Sequence, residues 1–226
     1  MTKYFNKGLI AIVSMIMLLP VSEVFAQSVI EEITVTARAR EESLQDVPGT
    51  ITVLTADQIE RSGIQRAADF VNLTPGVTIV DTAEVGDTQV SIRGMNGARD
   101  AETSFGLITD GIVMTNPAAL NREYLGLSQI EVLKGPQGTL NGRNSVQGVI
   151  NLITKRPTSE LGGYVDIESG NFGRSLMKGA INIPISDNVN SRLAFMSNQR
   201  DGMVHNAHTG NDYDDRNDVG LRLSLD

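Results

Sequence analysis

The fold is decided by residues Ile130–Pro157, which read IEVLKGPQGTLNGRNSVQGVINLITKRP. Ile130–Leu133 and Val149–Thr154 are short aliphatic, β-branched runs, and such runs bounded by Gly and Pro are typical of strands. Gly135-Pro136 predicts a turn directly after the first strand. The stretch therefore predicts two strands that are joined by a Gly-rich loop and followed by a stop at Pro157.

Upstream of this stretch, the sequence predicts a strand and two short helices. Thr50–Leu54 has the composition of a strand, and Thr55-Ala-Asp-Gln58 fits the capping box that begins a helix. This helix is expected to end near Ser62, with Gly63 as its left-handed stop. A second helix is predicted at about Gln65–Asn72. The residues expected on one side of it are Ala68, Val71 and Asn72.

Four further strands lie between the helices and the opening stretch. Asp110-Gly111 between two of them is a strong hairpin signal. Together with the strands of the opening stretch they predict a small mixed sheet with short helices, an α+β domain at residues 47–157. The predicted strands are Val77–Val80, Gln89–Arg93, Leu107–Ile108 and Ile112–Val113.

Residues 158–226 have a different pattern, with long strands in which apolar and polar residues alternate. Alternation over about ten residues is typical of transmembrane β-barrel strands, although a half-buried antiparallel sheet gives the same pattern. Ser186–Asn188 reads as a short turn and Asp201–Asp215 as a longer acidic loop. The apolar positions include Val165, Ile167, Met177, Ile181, Ile183, Leu193, Val219, Leu221 and Leu223.

The first 26 residues have the pattern of a secretory signal peptide. Lys3 and Lys7 precede an apolar run that ends at Pro20, and Val24-Phe25-Ala26 places small residues before a cleavage point at Gln27. The alternative is a membrane anchor, but the run is too short to span about 30 Å of hydrocarbon. The chain has no cysteine, and its formal net charge of -8 offers no basic field for nucleic acid.

Residues 27–46 form a polar N-terminal arm that contains one β-prone run. This run is Glu32-Ile33-Thr34-Val35-Thr36-Ala37. An extended hexapeptide of this kind can add as a strand to the sheet edge of another protein. The side chains of Ile33 and Val35 would then determine which face of the added strand packs against that protein. The alternative is a frayed terminal tail.

The chain shows no pattern that indicates catalysis. Gly138–Gly142 is one residue short of a phosphate-binding loop, and Arg143-Asn144 replaces its Lys and Ser or Thr. His205 and His208 lie near Asp residues. This pattern fits either a metal site or a mobile polar loop, and the loop is the favoured interpretation. We therefore expect no enzyme activity, no cofactor and no metal.

The opening stretch and several upstream motifs resemble the plug domain of TonB-dependent outer-membrane receptors. Lys134, Asn141 and Gln147 depart from the residues common in that family. The matching motifs are Val47-Pro48, Leu73-Thr74-Pro75-Gly76-Val77, Ile92-Arg93-Gly94, Asp110-Gly111, Ile130-Glu131-Val132, Gly135-Pro136, Gly142, Gly148 and Ile150-Asn151.

The resemblance implies a transporter for a scarce ligand, such as a siderophore-bound iron, in the outer membrane of a Gram-negative bacterium. Glu32–Ala37 resembles the TonB box, so the arm would bind the energy-coupling protein TonB. The plug would close the lumen of a barrel whose outer surface contacts lipid. The side chains expected to contact the barrel wall are Arg93, Glu131, Lys134 and Arg143. The plug-apex residues expected to bind ligand are Glu84, Asp87, Met95, Asn96, Arg99 and Asp100.

The family's barrel has 22 strands, whereas residues 158–226 supply about four. Four strands cannot close, and an open sheet leaves backbone groups unpaired in lipid. The chain is therefore expected to be a fragment of a longer receptor, or else a truncated remnant that does not transport. A soluble periplasmic module is the third alternative, which the apolar strand faces disfavour. The substrate is not predicted.

Overall fold

The computed structural model describes residues 33–36, 40, 42–47, 49–81, 88–95, 103–138 and 144–226. The predicted signal peptide lies outside these residues. The strands of the N-terminal half are β1 (Thr34–Val35), β2 (Glu42–Ser43), β3 (Thr50–Thr55), β4 (Val77–Asp81), β5 (Thr88–Ile92), β6 (Phe105–Thr109), β7 (Ile112–Met114), β8 (Leu127–Lys134) and β9 (Gly148–Thr154). The α-helices are α1 (Ala56–Arg61) and α2 (Ala67–Asn72), and 3-10 turns cover Leu44–Asp46 and Pro117–Asn121.

The predicted small mixed sheet is present and has five strands in the order β3-β8-β9-β6-β7. The prediction was wrong for β4 and β5, which pair with each other in a separate two-stranded sheet. Only β6 and β9 pair in parallel, and the other neighbours are antiparallel. The two strands of the opening stretch, β8 and β9, lie side by side at its centre. Gly148 is required at this pairing because a Cβ there would lie 2.1 Å from the Leu133 carbonyl oxygen.

The predicted capping box begins α1. The Gln58 N–H donates to Thr55 Oγ1 at 3.4 Å, and the Thr55 N–H donates to Gln58 Oε1 at 3.0 Å. Gly63 has the left-handed φ of 64° that was expected of a helix stop. Asp110 and Gly111 have φ values of 48° and 81°, which form the predicted tight turn between β6 and β7.

The helix predicted at about Gln65–Asn72 is present as α2, but it starts two residues later than predicted. The helix begins at Ala67, because the backbone N–H groups of Gln65 and Arg66 both donate to Asp69 Oδ2 at 2.8 Å. The expected face contained Ala68 and Asn72, which are exposed. The buried residues are Ala67, Phe70 and Val71.

The mixed sheet has an apolar cluster on each face. The larger cluster joins the helices to the sheet, and burying each of its large side chains contributes about 1.5–3 kcal/mol. The smaller cluster consists of Ile108, Leu133 and Val149, with Ile51 packed against it. Glu131 alternates with Ile130 and Val132 of the larger cluster, so it lies on the same face as Leu133. The fully buried members of the larger cluster include Phe70, Ile92, Leu120, Ile130 and Ile150.

The C-terminal sheet has four antiparallel strands, as the alternation predicted. These are β10 (Gly162–Ser169), β11 (Ser175–Ser186), β12 (Val189–Arg200) and β15 (Arg216–Leu225), in that order. Its inner face packs on the N-terminal half and buries Leu176, Ala180, Ala194, Met196 and Asn198. Its outer face is apolar and exposed. Exposed side chains of this face include Val165, Ile167, Ile183, Val219, Leu221 and Leu223.

The loop predicted at Asp201–Asp215 contains a small hairpin that the sequence reading missed. Its strands are β13 (Val204–His205) and β14 (Asp212–Tyr213), which pair antiparallel. The backbone N–H groups of His208 and Thr209 donate to Asn206 Oδ1 at 2.9 and 3.1 Å, and this side-chain cap holds the turn between them. Among the described residues, no helix has both the length and the apolar character needed to cross a membrane.

Candidate functional site

The arm is docked on the N-terminal half. Within the β-prone run, Thr34 and Val35 form β1, which pairs antiparallel with Glu42 and Ser43 of the same chain. The Val35 side chain is only 2% exposed. The frayed-tail alternative is therefore wrong for the described part of the run. Glu32 and Ala37, the two ends of the predicted box, lie outside the described residues.

A buried carboxylate holds the docked arm. The Thr36 N–H donates to Glu131 Oε1 at 2.7 Å, and Gln129 Nε2 donates to the same oxygen at 2.9 Å. Asn151 is the partner of Glu131 on the neighbouring strand β9, and its Nδ2 donates to Glu131 Oε2 at 3.0 Å. Gln129 Nε2 also donates to the Thr34 carbonyl oxygen at 2.9 Å.

Glu131 is one of the residues predicted to contact a barrel wall, and the partners of its carboxylate described here are Thr36, Gln129 and Asn151. The residue lies within β8 and is fully buried. A buried carboxylate is tolerated when hydrogen-bond donors surround it, and the arm supplies one of the donors here. Thr36 is 95 positions away in the sequence, so no local pattern could have indicated this contact.

Two other residues predicted to face a barrel wall, Arg93 and Lys134, lie close together. Arg93 has a left-handed φ of 56°, and its Nη2 donates to Thr50 Oγ1 at 3.0 Å. Lys134 Nζ donates to the Pro75 carbonyl oxygen at 2.6 Å. Burial, followed by repulsion from the Arg93 guanidinium, lowers the pKa of Lys134. The third cation, Arg143, lies outside the described residues, and the wall contacts of all three stay a prediction.

A polar cluster that the sequence reading missed joins α2 to the C-terminal sheet. Arg66 Nη2 lies 2.6 Å from Asp218 Oδ2 on β15 and 3.3 Å from Glu123 Oε1. Asn198 on β12 donates from Nδ2 to Glu123 Oε1 at 2.8 Å. Burial and then the neighbouring Asp218 carboxyl raise the pKa of Glu123, against the opposing effects of Asn198 and Arg66.

A second missed contact joins the Asp-Gly turn to the same strand. Arg222 Nη2 on β15 donates to Asp110 Oδ2 at 2.5 Å. The same carboxylate accepts from the Thr154 N–H at 2.8 Å and from Thr154 Oγ1 at 2.9 Å. The alternation of β15 marked Asp218 and Arg222 as members of its polar face. Their partners could not be read from the sequence because they are more than 100 positions away.

Of the six residues predicted to bind ligand, the structure describes Met95. Met95 forms an isolated antiparallel bridge with Ile92 after β5, and its side chain is exposed. The five other predicted apex residues, Glu84, Asp87, Asn96, Arg99 and Asp100, lie outside the described residues.

One cavity of about 120 Å³ lies between α1 and the inner face of the C-terminal sheet. Its walls include Ile59, Tyr124 and Leu176 as well as the charged Lys155 and Glu168. His205 Nδ1 lies 2.7 Å from Asp212 Oδ1 in the exposed hairpin. In the described part of the chain, no cluster of three or more His, Cys, Asp or Glu side chains is arranged to hold a metal ion.

Known proteins match most of the chain. Residues 43–149 match the family model of the TonB-dependent receptor plug domain. The vitamin B12 transporter of Vibrio vulnificus strain CMCP6 is 31% identical over 172 residues, which cover 73% of this chain and 28% of that protein. The pesticin receptor of Yersinia enterocolitica is 28% identical over 165 residues, which cover 71% and 24%.

The fold agrees with solved structures of receptors. The ferric yersiniabactin uptake receptor of Yersinia pestis matches with a TM-score of 0.67 and 25% identity, covering 78% of this chain and 29% of that one. The chain thus spans about a quarter to a third of these relatives. All three relatives are named as receptors or transporters, consistent with a non-enzymatic role. Residues 43–149 therefore belong to the plug-domain family of the TonB-dependent receptors.

Proposed function

We propose that this chain is the N-terminal part of an outer-membrane receptor that takes up a scarce ligand, such as a ferric siderophore, with energy supplied through TonB. Residues 1–26 are its export signal, residues 27–46 its TonB-binding arm and residues 47–157 its plug. Residues 158–226 are the first strands of a barrel whose lumen the plug closes. Its relatives include a vitamin B12 transporter and a ferric yersiniabactin uptake receptor, which supports an uptake role.

The observation that carries this proposal is the two-sided C-terminal sheet. Its inner face holds polar residues such as Asp218 and Arg222, which form ion pairs with the plug. Its outer face exposes aliphatic side chains over the length of β15. A polar face toward a plug and an apolar face toward the surroundings is the arrangement of a barrel wall in lipid.

The proposal assigns a role to the neighbouring Arg93 and Lys134. Two cations at short range repel each other, so a carboxylate between them would be strongly favoured. We assign both residues, with Arg143, to contacts with acidic side chains of the barrel wall. Such ion pairs hold the plug, yet they break when the plug is pulled. We assign ligand binding to the plug apices, at Glu84, Asp87, Met95, Asn96, Arg99 and Asp100.

An arm variant tests the proposal. Ile33→Pro removes a backbone N–H and cannot pair as a regular strand, whereas Ile33→Val keeps both the backbone and the β-branched side chain. In a strain carrying either allele of the receptor gene, we expect Ile33→Pro to reduce the initial uptake rate at least tenfold. The probes are iron-55 siderophores of the catecholate and hydroxamate classes and cobalt-57 cyanocobalamin.

Ile33→Val should transport the responding probe at the wild-type rate, and both proteins should be present in equal amounts in the outer-membrane fraction. Undiminished uptake with Ile33→Pro would show that the arm does not couple to TonB. Recovery of the wild-type protein from the soluble periplasmic fraction would contradict the barrel assignment.

A further inference from the structure

We propose that Gln147 is a positioning residue for the ligand site, because its buried side chain fixes the two ends of residues 93–103 relative to each other. The inference rests on the proposed function, since it concerns how a part of the plug that we assign to ligand is held. The apex residues carried by this segment are Met95, Asn96, Arg99 and Asp100.

The two ends of this segment come from strands that belong to different sheets. Ile92 ends β5, which forms the two-stranded sheet with β4, whereas Phe105 begins β6 in the five-stranded sheet. Among the residues that the structure describes, no backbone pairing joins β5 to β6. The distance between the two ends therefore depends on contacts from elsewhere in the chain.

Gln147 lies directly before β9 and bonds both ends. On one side, the Ile92 N–H donates to Gln147 Oε1 at 3.3 Å. On the other side, Gln147 Nε2 donates to Ser104 Oγ, and the Gln147 backbone N–H donates to the Ser104 carbonyl oxygen at 3.0 Å. One residue thus forms a hydrogen-bonded bridge between the two ends of the segment.

The side-chain bond to Ile92 takes the place of a neighbouring strand. In the pairing of β5 with β4, the Arg93 N–H donates to the Gly76 carbonyl oxygen at 2.8 Å. Successive backbone N–H groups of an extended strand point to opposite edges, so the Ile92 N–H points away from β4. Gln147 Oε1 satisfies this donor at the second edge of β5.

Burial gives the bridge its strength. Ile92 is fully buried and Gln147 is 1% exposed, so water cannot readily replace a partner that is lost. Loss of the amide would leave a buried backbone donor unsatisfied, which is unfavourable. Gln147 is itself anchored, because its carbonyl oxygen accepts from the Gly135 N–H, directly after β8, at 2.8 Å. The amide therefore holds both ends of the segment from a fixed point on the five-stranded sheet.

Amide hydrogen exchange measures this bridge without any ligand. Gln147→Met keeps the length of the side chain, but it can neither accept from Ile92 nor donate to Ser104. In the full-length receptor purified in detergent, we expect exchange in the peptide that covers residues 88–95 to accelerate at least tenfold. Exchange in the peptide that covers residues 127–134 should keep its wild-type rate, because β8 remains folded.

Thr154→Val is the matched control on the same strand. It also removes a buried polar group with little change of shape, but its hydroxyl bonds Asp110 and neither end of the segment. It should leave exchange at the β5 end of the segment unchanged. If Gln147→Met also accelerates exchange in β8, the milder Ser104→Ala decides instead, with an expected acceleration of at least threefold at residues 103–107.

Ligand affinity measures whether the bridge positions the site. Binding of iron-55 catecholate and hydroxamate siderophores and of cobalt-57 cyanocobalamin to outer membranes gives a dissociation constant and a number of sites. For the probe that binds the wild type, Gln147→Met should raise the dissociation constant at least fivefold and leave the number of sites unchanged. A loss of folded protein would instead lower the number of sites at an unchanged dissociation constant. Thr154→Val should keep the wild-type dissociation constant.

The outcomes distinguish the bridge from the proposed function. Unchanged exchange in a folded Gln147→Met or Ser104→Ala protein overturns the bridge. Faster exchange with an unchanged dissociation constant overturns the role of Gln147 in positioning the ligand site. Faster exchange, when none of the three probes binds the wild type, supports the bridge and contradicts the ligand classes of the proposed function.

Discussion

Glu123 is a buried acid at the contact between the plug and the C-terminal sheet. Its side chain is 3% exposed and lies between Arg66 and Asn198. Burial and then the nearby Asp218 carboxyl raise its pKa. Folding therefore favours the protonated form. The stability that this proton supplies is fully present below the unfolded-state pKa of 4.5 and is lost as pH rises through the higher folded-state pKa.

Glu123→Gln should flatten this pH dependence. The amide has the same shape, accepts from Asn198 through its oxygen and donates toward Asp218 through its nitrogen, without a charge to desolvate. Between pH 4.5 and neutrality we expect the wild type to lose stability relative to the variant, as measured by denaturant midpoints across that range. Glu60→Gln, an exposed change on α1, serves as the control. Parallel pH profiles of wild type and Glu123→Gln would contradict the raised pKa.

Residues that act through near neighbours were predictable, and those that act across the fold were not. Thr55 and Gln58 cap α1 through bonds three positions apart, which the sequence displays directly. Glu131 is different, because its burial depends on an arm 95 positions away. Charged side chains are usually solvated, and this rule takes no account of a backbone donor that lies far away in the sequence.

Strand β15 joins the C-terminal sheet to the plug through two ion pairs of opposite polarity. The plug supplies the cation to Asp218 and the anion to Arg222. Both positions lie on the inner face because they are an even number of residues apart. Each pair is partly exposed, so we expect each to contribute about 0.2–1 kcal/mol.

Exchanging the charges of one pair tests this role. Asp218→Arg places two cations together at Arg66 and should destabilise the folded protein, whereas Arg66→Asp with Asp218→Arg should recover part of the loss. The measurement is the coupling free energy from a double-mutant cycle, expected at about 0.2–1 kcal/mol. Asn217→Arg, on the outer face, is the matched control and should show no coupling to Arg66. Additive single changes would show that the pair does not act as a unit.

Elements were predicted where periodicity is strong and missed where it is short. Strands β10, β11, β12 and β15 follow from alternation over their whole length. The hairpin of β13 and β14 has only two residues per strand, which is too short for any period to show. In α2, the Asp69 carboxylate sets the start of the helix at Ala67, two residues after the predicted start.

At the scale of the whole molecule, the outer face of the C-terminal sheet is apolar and exposed. Leu221 is 75% exposed near the middle of β15. If this face contacts hydrocarbon, Leu221→Arg should cost about 2–4 kcal/mol, and a charge at the strand end should cost much less. We expect Leu221→Arg to be depleted from the outer-membrane fraction and Asn217→Arg to be retained. Equal recovery of both variants would contradict lipid contact.

The mixed polarity of the two ion pairs on β15 has a consequence for assembly. Along β15, the acid Asp218 comes first and pairs with Arg66 of the plug. The base Arg222 follows and pairs with Asp110 of the plug. A strand inserted in the reverse direction would bring arginine to arginine and aspartate to aspartate. Two pairs of equal polarity would accept either direction. The C-terminal sheet therefore presents its two charges in a fixed order, and only one direction of β15 forms both ion pairs with the plug.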